Sequence, residues 1–136
     1  VAFALEGTTA HDVPIADADP HIDADITNNP TAKLGDGPAL TVMDSRTITD
    51  PRILTFLKMT ARNNDIPYQV KTHRGGGTDA GAIHISNAGV PSSSISVPCR
   101  YIHSPYALMN RSDYENSLAL IKAVLNNITF DVLKHE

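Results

Sequence analysis

The sequence predicts an α/β sandwich in which the later strands run parallel. Short apolar runs alternate with segments of helical periodicity, in the order strand, loop, strand, helix, strand, helix, strand, helix. The chain has 136 residues, one domain's length, enough to bury roughly two thirds of its unfolded surface. It is 41% hydrophobic and 19% charged, ordinary globular usage that excludes wholesale disorder.

The first strand is the apolar run Val1-Ala2-Phe3-Ala4-Leu5, fading into Gly7-Thr8-Thr9. No polar lead precedes it, which is expected of the C-terminal piece of a longer protein. From His11 to Asp36 the periodicity dissolves into Asp, Pro, Asn and Thr, and a long loop is expected. Gly35-Asp36-Gly37-Pro38 is a turn, and Ala39 to Met43 a second strand.

Thr49-Asp50-Pro51 starts a helix: a capping side chain, then proline where its missing N–H costs nothing. Ile53, Leu54, Phe56, Leu57, Thr60 and Ala61 give it one apolar face. Asn63-Asn64-Asp65 and Pro67 stop it. Tyr68 to Thr72 is strand-like, and Arg74-Gly75-Gly76-Gly77 is a glycine turn. Thr78 is expected to cap a short helix through Ala88, stopped by Gly89. Ser94 to Val97 is a fourth strand. Ser112-Asp113-Tyr114-Glu115 reads as a capping box, followed by a helix whose apolar face is Leu118, Ile121, Val124, Leu125 and Ile128. Phe130 to Glu136 reads as a tail.

Charge and cysteine usage narrow the function classes. Eleven Lys and Arg against fifteen Asp and Glu give a net charge of −4, leaving no excess for nucleic acid or an anionic membrane. One cysteine, Cys99, excludes an intrachain disulfide framework and a Cys-only zinc site. No apolar run approaches the roughly 20 residues of a membrane helix.

Ligands of open α/β sheets gather outside the carboxyl ends of strands. Three polar segments fall there: Glu6 after Phe3-Ala4-Leu5, the glycine turn, and Tyr101-Ile102-His103. A carboxylate ending an apolar strand must be solvated, paired or bound to a cation. His103 is a potential metal ligand or acid–base group, or simply a hydrogen-bonded structural residue. Two such donors are too few for a complete site. The glycine turn lacks the Gly-Lys-Ser/Thr ending of a P-loop and the spacing of a dinucleotide fingerprint. His11, Asp12, Asp17, Asp19, His21, Asp23 and Asp25 read as a solvated acidic loop, because their spacing does not fit a calcium loop. Ser92-Ser93-Ser94 lacks the surroundings of a serine nucleophile.

Two strings carry a more specific signal. Gly75-Gly76-Gly77-Thr78-Asp79-Ala80-Gly81-Ala82-Ile83-His84 and Val90-Pro91 through Val97-Pro98-Cys99-Arg100-Tyr101-Ile102-His103-Ser104 resemble the C-terminal half of the tetrahedral aminopeptidases. This metallopeptidase family includes glutamyl, leucyl and lysyl aminopeptidases, some labelled endoglucanases. Leu34-Gly35, Gly37-Pro38-Ala39 and Phe3-Ala4-Leu5-Glu6 through Asp12-Val13-Pro14 match in the same order. Asp36 departs from the family's common Lys, and the stretch between Pro14 and Leu34 is longer and more acidic than the family's pattern.

The resemblance implies the C-terminal portion, residues 1–136, of a zinc-peptidase catalytic domain: a three-layer sandwich with a mixed, largely parallel sheet. It implies two divalent metal ions, zinc or cobalt, with Glu6 anchoring one and His103 the other. It implies a wall of the peptide site at Gly76, Gly77, Thr78 and Asp79. General base and bridging ligand would lie in an N-terminal part of the same protein, so no catalytic base is expected in this chain, which alone should be inactive. Short peptides as substrate, a dimer-based homo-oligomer reaching a dodecamer, and a cytoplasmic location complete the expectation. The alternative is a non-catalytic α/β binding or assembly module that retains the scaffold. A glycan hydrolase would need two carboxylates flanking a bond, and no such pair is specified.

Overall fold

The computed structural model describes residues 1–13, 32–71 and 75–134. Five strands form one mixed sheet: β1 (Ala2–Thr9), β2 (Ala39–Thr41), β3 (Gln69–Lys71), β4 (Ser92–Arg100) and β5 (Leu108–Met109). The order is β1-β4-β2-β3, with β5 paired to the end of β4. The helices are α1 (Pro51–Asn63), α2 (Ala80–Ile83) and α3 (Arg111–Asn127), and a 3₁₀ turn (Phe130–Leu133) follows. Asp17, Asp19, His21, Asp23 and Asp25, and the expected strand end Thr72 with Arg74, lie outside the described residues.

The strand directions correct one expectation. β1 runs parallel to β4 and β2 parallel to β3, but β2 and β4 are antiparallel. Alternation of helix and strand in a sequence does not say which neighbour a strand takes. The chain carries β4 past β3 to lie between β1 and β2, where it runs with β1. Because β1 and β4 are parallel and in register from Ala2↔Ser92 to Thr9↔Cys99, their carboxyl ends share one edge.

Side chains alternate across the sheet, so Leu40 and Ile95 point to one face and Ser94 and Ser96 to the other. On the first face Leu40 and Ile95 pack with Ile53, Leu57 and Ala61 of α1 and with Leu120, Ile121 and Val124 of α3. Leu57 is fully buried there, and truncating it to alanine would cost about 2–5 kcal/mol. α1 begins as its sequence dictates: the Asp50 carboxylate accepts the Arg52 N–H at 2.9 Å, with Pro51 in the first turn. It ends at Asn64 and a left-handed Asp65 (φ 53°).

Helix α3 departs from the capping box. The cap is Asn110, whose side-chain oxygen accepts the Ser112 N–H at 2.9 Å. Asp113, fully buried, turns away and accepts the N–H groups of Gly35 at 2.8 Å and Gly37 at 2.9 Å. Glu115 pairs instead with Arg111. With the cap at Asn110, the Ser112–Glu115 pair of the box is out of register, and Asp113, which is neither of those two positions, serves the buried Gly37 N–H and the partly buried Gly35 N–H. The buried stripe runs through Ser117, Leu120, Ile121 and Val124, while Leu118 and Leu125 are exposed.

Candidate active site

The second face of the sheet is polar, and the glycine turn lies over it. Thr78 was expected to cap α2; its hydroxyl instead donates to the Asp44 carboxylate at 3.1 Å and lies 3.5 Å from the Ser94 hydroxyl. The residue before α2 is Asp79, which makes no side-chain cap. The helix spans Ala80–Ile83 rather than reaching Ala88, and left-handed Asn87 and Gly89 close the segment after it.

Glu6 does not end its strand. The polar triplet Gly7-Thr8-Thr9 continues β1, because the ladder to Val97-Pro98-Cys99 is made by backbone and is indifferent to side-chain polarity. Glu6 is half-buried, and its Oε1 accepts the Asp79 N–H at 3.0 Å. Its register partner Ser96 is buried, with a hydroxyl that has no partner among the described residues.

His103 lies three residues beyond β4, exposed, on a loop with two left-handed non-glycine residues, Tyr101 (φ 60°) and His103 (φ 65°). Such backbone stores of order 1–3 kcal/mol and persists where surrounding contacts enforce it. Here the Ser104 hydroxyl, with one proton to donate, lies 2.6 Å from the carbonyl oxygens of both Tyr101 and Tyr106. A cavity of about 230 Å³ is lined by Gly75, Gly76, Gly77 and Thr78 together with Thr8, Thr9, Ile102 and His103. The glycine turn is therefore the common neighbour of the two expected metal ligands: Asp79 holds Glu6, and the residues just before it share a cavity with His103. Gly76 has φ +73°, which suits glycine.

Among the described residues no group of three His, Cys, Asp or Glu side chains could hold a metal ion. The donor set nevertheless suits a borderline divalent cation in part, with one carboxylate and one imidazole.

Two other residues at this site were not singled out in the sequence. Lys71 is 8% exposed and lines the same cavity; burial pushes its ammonium pKa down, opposed by the Asp44 charge. Asp44, 5% exposed, sits under the turn. The only sequence signal was the position of Asp44 immediately after a strand.

Asp12 corrects the reading of a solvated acidic loop. Its carboxylate makes two bonds to the Arg100 guanidinium, at 2.8 and 3.0 Å, and accepts the Leu34 N–H at 2.9 Å. The Arg100 hydrogen bond outweighs the opposing effect of burial and holds the Asp12 carboxyl below its ordinary range. The pair ties the chain leaving β1 to the end of β4, just ahead of the His103 loop.

Residues 1–120 match the profile of the M42 glutamyl aminopeptidases. The chain belongs to this family. It is 35% identical to the glutamyl aminopeptidase of Lactococcus lactis over 105 residues, which are 77% of this chain and 29% of that protein. Among solved structures, the aminopeptidase APDkam598 of Desulfurococcus kamchatkensis superposes with a TM-score of 0.85 at 33% identity, covering 98% of this chain and 36% of that one. The TET1 peptidase of Pyrococcus horikoshii, which can assemble into a tetrahedron or a large octahedral shell, superposes at 0.65 with 26% identity, over 90% of this chain and 32% of that one. The chain thus spans about a third of the length of these relatives. Its mixed sheet with helices is their fold. No helix among the described residues is long and apolar enough to cross a membrane.

Proposed function

We propose that the protein containing this chain is a metal-dependent aminopeptidase that removes N-terminal residues from short peptides. The observation that carries the proposal is the convergence on one glycine turn of Glu6, through the Asp79 N–H, and of His103, through the shared cavity. Family membership supplies the reaction class.

Glu6 and His103 would each hold one of two divalent cations, zinc or cobalt. When bound, such a pair acidifies water and polarises the scissile carbonyl. The Asp79 N–H donates to Oε1 of Glu6 and so restrains one carboxylate oxygen. The Tyr101–His103 loop, with two left-handed residues and the Ser104 hydroxyl against its backbone, would set where the imidazole is presented. Gly76, Gly77, Thr78 and Asp79 would wall the peptide's amino end, with glycine allowing close approach of backbone.

No residue here is assigned the general base. That group and the bridging ligand would come from an N-terminal part of the same protein, residues 1–136 forming the C-terminal portion of the catalytic domain. Assembly as a dimer-based homo-oligomer, up to a dodecamer, and a cytoplasmic location belong to the same proposal.

The test is hydrolysis of aminoacyl-p-nitroanilides by the intact protein with and without chelator, alongside the 136-residue chain. Chelator-sensitive turnover by the intact protein and none by the chain alone are expected. A metal-free intact protein without turnover would favour a non-catalytic module.

A further inference from the structure

The loop after β2 grips the glycine turn from beneath. Asp44 Oδ1 accepts the N–H groups of Arg46 at 2.8 Å and Thr47 at 2.7 Å, which fixes the loop on itself. Its other oxygen, Oδ2, accepts the Thr78 hydroxyl at 3.1 Å. The Ser45 N–H donates to the Gly76 carbonyl at 2.8 Å. The Arg46 side chain lies so close that a Cβ on Gly81 would come within 2.6 Å of it, and one on Gly77 within 3.1 Å. One residue beyond Thr78, the Asp79 N–H reaches Glu6 Oε1 at 3.0 Å.

We infer that Asp44 is a positioning residue for the Glu6 carboxylate, acting through the Thr78 hydroxyl and the Asp79 N–H. The inference rests on the proposed role of Glu6 in holding a cation. A buried carboxylate is costly, and two backbone donors alone could be served by a neutral acceptor. The second oxygen of Asp44 is spent on Thr78, the residue next to the one that holds Glu6. Lys71, nearly buried, adds a compensating positive charge near Asp44. Groups that orient a ligand in this way typically change metal affinity by about 10–100-fold when removed.

The test is equilibrium dialysis of the intact, metal-stripped protein against Co²⁺ alone, with melting temperature measured in parallel. Thr78→Val removes the hydroxyl and leaves the two backbone bonds of Asp44 in place. It is expected to weaken Co²⁺ binding by about ten-fold or more, with little change in melting temperature, and Thr78→Ser is expected to restore it. Asp44→Ala should weaken binding at least as much, and the double variant should be no worse than Asp44→Ala, since both act along one path. If Asp44→Ala does not fold, Thr78→Val with its serine rescue decides. Unchanged Co²⁺ affinity in Thr78→Val, or additive losses in the double variant, would overturn the positioning role and leave the Glu6 reading standing. No Co²⁺ uptake by the unsubstituted protein would overturn both.

Discussion

The Glu6 carboxylate accepts a hydrogen bond from the Asp79 N–H, 73 residues along the chain, at 3.0 Å. This bond joins the middle of β1 to the end of the glycine turn. It occupies one carboxylate oxygen and leaves the second available to a cation.

Glu6→Gln tests that division of labour. The amide oxygen can still accept from Asp79, so melting temperature should hold within a few degrees. The charge is lost, and metal affinity should fall by at least about ten-fold. Elemental analysis after dialysis at limiting metal checks this, and full occupancy would remove Glu6 from the ligand set.

His103 combines an imidazole with a left-handed backbone, and two substitutions separate the contributions. His103→Gly relieves φ 65° and should be as stable as the parent or more so, by up to about 1 kcal/mol. His103→Ala keeps the strain. Both should lose bound metal and turnover. Retention of metal in the glycine variant would make His103 a structural residue.

Asp12 gives a pH dependence with a defined sign. Its folded pKa lies below the ordinary 3.8, so the unfolded chain binds more protons in that range. The stability it contributes is complete above the unfolded value and is lost as pH falls through the lowered one. Asp12→Asn should cost about 1–2 kcal/mol at neutral pH, given the partial exposure of Arg100. In urea titrations the gap between variant and parent should close as pH drops below about 4. A gap independent of pH would assign the effect to packing.

Asp113 should be among the costliest polar positions. Asp113→Ala strands the buried N–H of Gly37 and the partly buried N–H of Gly35, at about 2–4 kcal/mol in denaturant unfolding. Gly37→Ala should also destabilise, because a Cβ there would meet the Pro67 carbonyl oxygen at 2.3 Å and φ is +83°. A loss below about 0.5 kcal/mol in Asp113→Ala would mean that water replaces the carboxylate.

What was legible in the sequence was local or carried by a string of residues. The Asp50-Pro51 helix start and the apolar opening of β1 follow from neighbours in the chain, and both are present. Glu6, His103 and the glycine turn were marked by strings shared with the family. What escaped depended on distant partners. Thr78 looks like a cap until Asp44, 34 residues earlier, takes its hydroxyl. Asp113 sits between the two expected box positions, with nothing local to show that Gly35 and Gly37 claim it. Asp12 looks solvated until Arg100 arrives from 88 residues away. In each case the partner lies far along the chain, and local spacing does not report it.

The most direct measurement is anomalous diffraction from crystals of the intact protein at the zinc and cobalt absorption edges. Two peaks are expected, one within coordination distance of the Glu6 carboxylate and the other of the His103 imidazole. An absence of peaks in active crystals, or peaks bound elsewhere with Glu6 and His103 left free, would contradict a two-cation site shared by these residues.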